Sequence, residues 1–119
     1  MESKTKTDLV REFIKFNIRV LNLDSLPEIK FTQDKSITKT YAHNDVVNDK
    51  VVIYTKGRSL GDILRSLAHE LIHYAQKQNN TLFTIDDPGA TGSPVENEAN
   101  ACAGIIMRHF GQLHPQIFE

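Results

Sequence analysis

The constraint that most limits this chain is a change in apolar period partway along it. From Thr7 to Leu21 the apolar residues Leu9, Phe13, Phe16 and Val20 recur at helical spacing, with Asp8, Arg11, Glu12, Lys15 and Arg19 between them. Asp24–Pro27 supplies turn chemistry that ends this helix. Beyond it the period falls to about two. Ile29 and Phe31 alternate with charged residues, Ile37 and Tyr41 follow, and Val51–Tyr54 comes after a polar turn at Asn44–Lys50. These β-branched and aromatic runs predict two or three short antiparallel strands. From Gly57–Ser59 onward the helical period returns. Helix and strand signals that segregate in this way exclude an alternating α/β architecture and predict an α+β fold.

The second helix runs to about Gln78, with Ser59 as N-cap and Asp62 three residues on. A loop over Asn79–Gly92 follows, marked by Asn79-Asn80 and Asp86-Asp-Pro-Gly89. A last helix opens at Ser93-Pro94 and runs to about Phe110, ahead of Gly111. The expected order is an N-terminal helix, a small antiparallel or mixed sheet, a helix, a loop and a C-terminal helix. At 119 residues, residues 1–119 make one domain with a single core. Fourteen Lys and Arg balance fifteen Asp and Glu, and the net charge of −1 argues against nucleic acid as a partner. Cys102 is the only cysteine, which excludes an intrachain disulfide and a cysteine zinc cluster. With no apolar run of membrane-spanning length and a polar N-terminus, the expected setting is cytoplasmic and free of membrane.

The chemistry concentrates in the second helix, at His69-Glu70-Leu71-Ile72-His73. Two histidines at i and i+4 project from one helical face and can share one metal ion. Imidazole nitrogens suit Zn²⁺, and Glu70 beside the first histidine can act as general base toward a metal-activated water. A shuffled chain of this composition contains such a pattern in only about 1% of cases. On a helical projection Leu60, Ile63, Leu64, Leu67, Leu71 and Tyr74 form one apolar stripe, and the histidines lie almost opposite it, beside Asp62, Ser66 and Gln76.

A catalytic zinc site needs a third protein ligand. Asp86, Asp87, Glu96, Glu98, Cys102, His109 and His114 are the downstream candidates. Glu96 also completes a Ser93-x-x-Glu96 capping box, and spacing alone does not separate Glu96 from Glu98. Cys102 reads as a structural residue in the apolar stripe Val95, Ala99, Cys102, Ile106 and Phe110.

His69-Glu-Leu-Ile-His73 followed by Glu96-Asn-Glu-Ala-Asn100 resembles the gluzincin metallopeptidases. The run Glu96–Met107 is similar to the glutamate helix of ImmA/IrrE-type peptidases, with Cys102 where Phe is usual and Arg108 where Pro is common. The chain's small size is closer to a minigluzincin, a minimal zincin-like domain. The resemblance implies one Zn²⁺ held by His69, His73 and Glu96, with Asn100 supporting a ligating histidine. It also implies a substrate-aligning edge strand at Thr40–His43, next to Val51–Tyr54. The expected activity is zinc-dependent hydrolysis of peptide bonds in a peptide or protein substrate, with Glu70 as general base. The alternative is a zinc-stabilised pseudopeptidase that binds a protein without catalysis. Tyr74, His43, His109 and Arg108 are candidates for an oxyanion-stabilising group, and the tail Gln112–Glu119 for an inhibitory segment.

Overall fold

A computed structural model of the chain describes residues 5–34, 42–45, 49–78 and 94–118. Helix α1 spans Lys6–Leu21 and starts one residue earlier than its apolar pattern begins. Its cap is Thr5, whose Oγ1 accepts the Asp8 N–H at 3.1 Å while Asp8 Oδ2 accepts the Thr5 N–H at 3.2 Å. Asn22, at φ 54°, closes it in the left-handed region, and its N–H returns to the Ile18 carbonyl.

Strands β1 (Glu28–Thr32), β2 (Ala42–Asp45) and β3 (Lys50–Tyr54) form one sheet in the order β1-β3-β2. β2 pairs antiparallel with β3, Ala42 opposite Ile53 and Asp45 opposite Lys50. β1 runs parallel to β3, Ile29 opposite Val51 and Thr32 opposite Tyr54. The reading of all strands as antiparallel is therefore corrected for the β1–β3 pair. Strand direction is decided by the path between strands, and the alternation of side chains is identical for either direction. β3 is the central strand, with Val51, Val52 and Ile53 all buried, which is why its apolar residues are continuous rather than alternating. The polar turn expected at Asn44–Lys50 begins too early, because Asn44 and Asp45 belong to β2. The strand expected at Ser36–Tyr41 lies outside the described residues.

Helix α2 spans Leu60–Gln78, and Ser59 Oγ accepts the Asp62 N–H at 3.2 Å as its cap. Arg58, with a side chain only 6% exposed, ties the end of β3 to this helix. Its guanidinium donates to the Tyr54 carbonyl at 2.7 Å, to Asp62 Oδ2 at 2.8 Å and to Ser66 Oγ. α2 is the central helix. Leu64, Leu67 and Leu71 are buried as the stripe requires, and so are Ala68, Ile72 and Ala75 away from it.

Helix α3, Pro94–Leu113, packs along α2 and buries Ala99, Ala103, Ile106, Met107 and Phe110. Cys102 is half-buried and packs against this core. Phe110 meets Phe13 of α1 edge to face, ring centres 5.0 Å apart, joining the two outer helices. The helix does not stop at Gly111. A Cβ there would lie 2.3 Å from the Phe118 ring, so this glycine makes room for the chain's last turn rather than capping a helix. That turn, a 3₁₀ segment over Pro115–Phe118, inserts fully buried Ile117 into the core. None of the described tail residues lines the cleft at His69. No helix among the described residues is long and apolar enough to cross a membrane.

Candidate metal centre

Two helices build the site, and each contributes by its own periodicity. On α2 the i, i+4 spacing brings the His69 and His73 rings edge to face, with centres 4.6 Å apart. On α3, Glu96 occupies the first turn and lies across from both rings. His69 Nε2 is 2.7 Å from Glu96 Oε1, His73 Nε2 is 3.2 Å from Glu96 Oε2, and the two Nε2 atoms are 3.0 Å apart. All three side chains are half-buried, with exposures of 21%, 17% and 23%.

These residues lie close enough to hold one metal ion, with one donor atom from each within 4.8 Å of the others. The donor set can be tested against an ion. Ligands at 2.0–2.1 Å around a tetrahedral centre stand about 3.3 Å from one another. The observed separations of 2.7 to 3.2 Å need only a small outward shift to meet that requirement.

Glu98, the other candidate from the same turn, faces elsewhere. Its Oε1 accepts a hydrogen bond from Gln76 Nε2 at 2.7 Å, and Gln76 Oε1 lies 2.8 Å from His73 Nδ1. The polarity of this chain follows from its members. An ionised carboxylate only accepts, so Gln76 turns its amide N–H₂ toward Glu98 and its oxygen toward His73. An amide oxygen only accepts as well, so Nδ1 of His73 carries a proton, and a neutral ring leaves its lone pair on Nε2. Gln76 is 3% exposed, which keeps water from competing for either bond. Sequence reasoning placed Gln76 on the histidine face without a role. The signal available was its position three residues after His73, within reach of that ring.

Asn100, one turn after Glu96, lines the cleft beside His69. Burial lowers the His69 pKa, and the neighbouring His73 lowers it further, against the opposing pull of Glu96. Glu70 lines the same cleft as His69 and is only 9% exposed. Burial, reinforced by Glu96 and opposed by His73, raises its pKa to about 7. A carboxyl in that range can take up and release a proton at neutral pH.

The site opens into a cleft of about 270 Å³ lined by Ala42, Arg65, Ser66, His69, Glu70 and Asn100. Ala42 belongs to β2, whose far side pairs with no other strand among the described residues. Of the residues considered for an oxyanion, Tyr74 is buried elsewhere, its hydroxyl bonded to Ser25 Oγ at 2.8 Å and to Asp49 Oδ2 at 3.3 Å. Arg108 and His109 are exposed on α3 and do not line the cleft. The His43 side chain, Asp86 and Asp87 lie outside the described residues. Arg65 is a cleft residue that sequence reasoning missed. It lies four residues before His69, on the same helical face. Comparison with known families, with curated proteins and with solved structures returns no match for this chain.

Proposed function

We propose that the protein is a zinc-dependent metallopeptidase, with His69, His73 and Glu96 as ligands and Glu70 as general base. The observation that carries this reading is the convergence of two imidazole Nε2 atoms and one carboxylate, 2.7 to 3.2 Å apart, beside a buried carboxyl whose pKa stands near 7. Two imidazoles and one carboxylate form a donor set for which zinc is well suited, and three protein ligands leave a coordination position open. Zinc held there supplies Lewis acidity and brings the pKa of a water toward 7.

The chain's own residues have distinct tasks around that ion. Gln76, fixed by Glu98, holds the His73 ring with Nε2 bare and aimed at the shared position. Asn100, beside His69 in the cleft wall, is placed to support that ring. Glu70 is held at the cleft wall, where its carboxylate accepts a proton from the attacking water and returns it to the leaving amine. β2 stands at the edge of the sheet among the described residues, with Ala42 in the cleft wall, a place suited to aligning an extended peptide by strand addition.

The test is elemental analysis joined to a peptide-library cleavage assay on wild type and Glu70→Gln. One zinc per chain in both proteins, with cleavage only in wild type, is the expected result. Bound zinc without Glu70-dependent cleavage assigns the chain to the binding-module class instead, and no bound zinc contradicts the metal centre.

A further inference from the structure

The cleft beside His69 and Glu70 holds a positive charge that the fold does not use. Arg65 lines it together with Ala42, Ser66 and Asn100. Arg58, seven residues earlier, shows what a structural arginine looks like in this protein: buried, and bonded to Tyr54, Asp62 and Ser66. Arg65 is the opposite case. It is exposed, and it makes no hydrogen bond or ion pair among the described residues.

Its location is set from two sides. The i, i+4 relation to His69 stacks it one turn up the metal face of α2. On α3 it passes over Gly104, where an added Cβ would lie 3.6 Å from Nη2. That is ordinary van der Waals contact, so the guanidinium lies next to α3 at this position. Among the described residues, the other ionisable groups in the cleft wall are His69 and Glu70, which the proposed chemistry already occupies.

We infer that Arg65 selects substrates by binding a carboxylate, so that the cleft favours peptides with an acidic side chain or a free C-terminus near the bond beside the metal centre. A guanidinium presents a planar fork of N–H donors that matches the two oxygens of a carboxylate. The inference rests on the peptidase reading for the word substrate, but the binding preference stands or falls without turnover.

The experiment therefore reads binding. Zinc-loaded Glu70→Gln protein is titrated against four labelled peptides of one length, followed by fluorescence anisotropy. One is neutral and amidated, one is amidated with a central Glu, one is neutral with a free C-terminus, and one is amidated with a central Lys. At least one carboxylate peptide binds about 10-fold more tightly than the neutral amide, the size expected of one charged hydrogen-bonded pair. Which of the two does so identifies the carboxylate that is recognised. Adding Arg65→Glu abolishes the preference and shifts it toward the Lys peptide. Adding Lys15→Glu on α1, which changes net charge equally, leaves it in place. Equal affinities, absence of binding, or a preference that survives Arg65→Glu overturns the inference. Cleavage of the same peptides by zinc-loaded wild type is scored separately. Selective binding without cleavage defeats the peptidase reading alone, and cleavage without carboxylate preference defeats the Arg65 inference alone.

Discussion

At the scale of single residues, the site depends on side chains held in states that water would not choose. Glu70 is the clearest. Its carboxyl titrates near 7 in the fold against an ordinary 4.5, because burial disfavours the charge. The fold therefore favours the protonated form, and stability is lost as pH rises from 4.5 through 7. In metal-free protein, Glu70→Gln is expected to be more stable than wild type at pH 8, by roughly 3 kcal/mol. The gain shrinks toward zero at pH 4.5, where wild type is itself protonated. Urea unfolding of both proteins at the two pH values checks this, and a pH-independent difference contradicts it.

Gln76 is the second such residue. Gln76→Leu keeps the apolar volume but removes the acceptor from His73 Nδ1. It is expected to weaken zinc binding 10- to 100-fold, read by competition with a chromogenic chelator, while the far-ultraviolet circular dichroism stays that of wild type. Unchanged affinity would mean that the His73 ring is held by packing alone.

At the scale of elements, the three helices were legible in the sequence to within a few residues. Their apolar stripes and caps are local, as Ser59 shows at the start of α2. Less was legible wherever distant residues decide. Glu96 and Glu98 flank the same stripe at similar spacing, and only the way α3 lies across α2 directs one toward the histidines and the other toward Gln76. The parallel pairing of β1 with β3 has the same origin, since nothing in either strand encodes the direction of its neighbour. Gly111 carried the usual mark of a helix end, yet its role comes from Phe118, seven residues on.

Helix α1 contains a local flaw with a measurable consequence. Asn17 is fully buried. Its Nδ2 donates to the Phe13 carbonyl at 2.8 Å, but its Oδ1 has no partner among the described residues. An orphaned buried acceptor costs about 1–3 kcal/mol. Asn17→Leu, similar in size, is expected to raise the free energy of unfolding by about 1 kcal/mol, measured by urea denaturation. A loss of stability would show that the space around Oδ1 is polar.

At the scale of the whole molecule, the last turn belongs to the core that supports the site. Ile117 is fully buried, and its carbonyl lies 3.1 Å from where a Cβ on Gly61 would stand, in the first turn of α2. Ile117→Ala is expected to cost about 2–5 kcal/mol in unfolding free energy, as for other buried isoleucines. A change under 0.5 kcal/mol, measured in the same way, would mean that the turn is only loosely attached. The candidate metal site belongs to this scale too, because its ligands come from both α2 and α3, with His73 and Glu96 standing 23 residues apart in sequence. A bound ion stabilises the fold by mass action, so chelation lowers the melting temperature.

The central claim is a zinc ion held by two imidazoles and one carboxylate, and X-ray absorption at the zinc K-edge tests it most directly. Protein loaded with one equivalent of zinc is predicted to show nitrogen and oxygen neighbours at about 2.0–2.2 Å, with the multiple scattering of two imidazole rings. A sulfur shell near 2.3 Å, which would bring in Cys102, or the spectrum of the hydrated ion, would contradict the account.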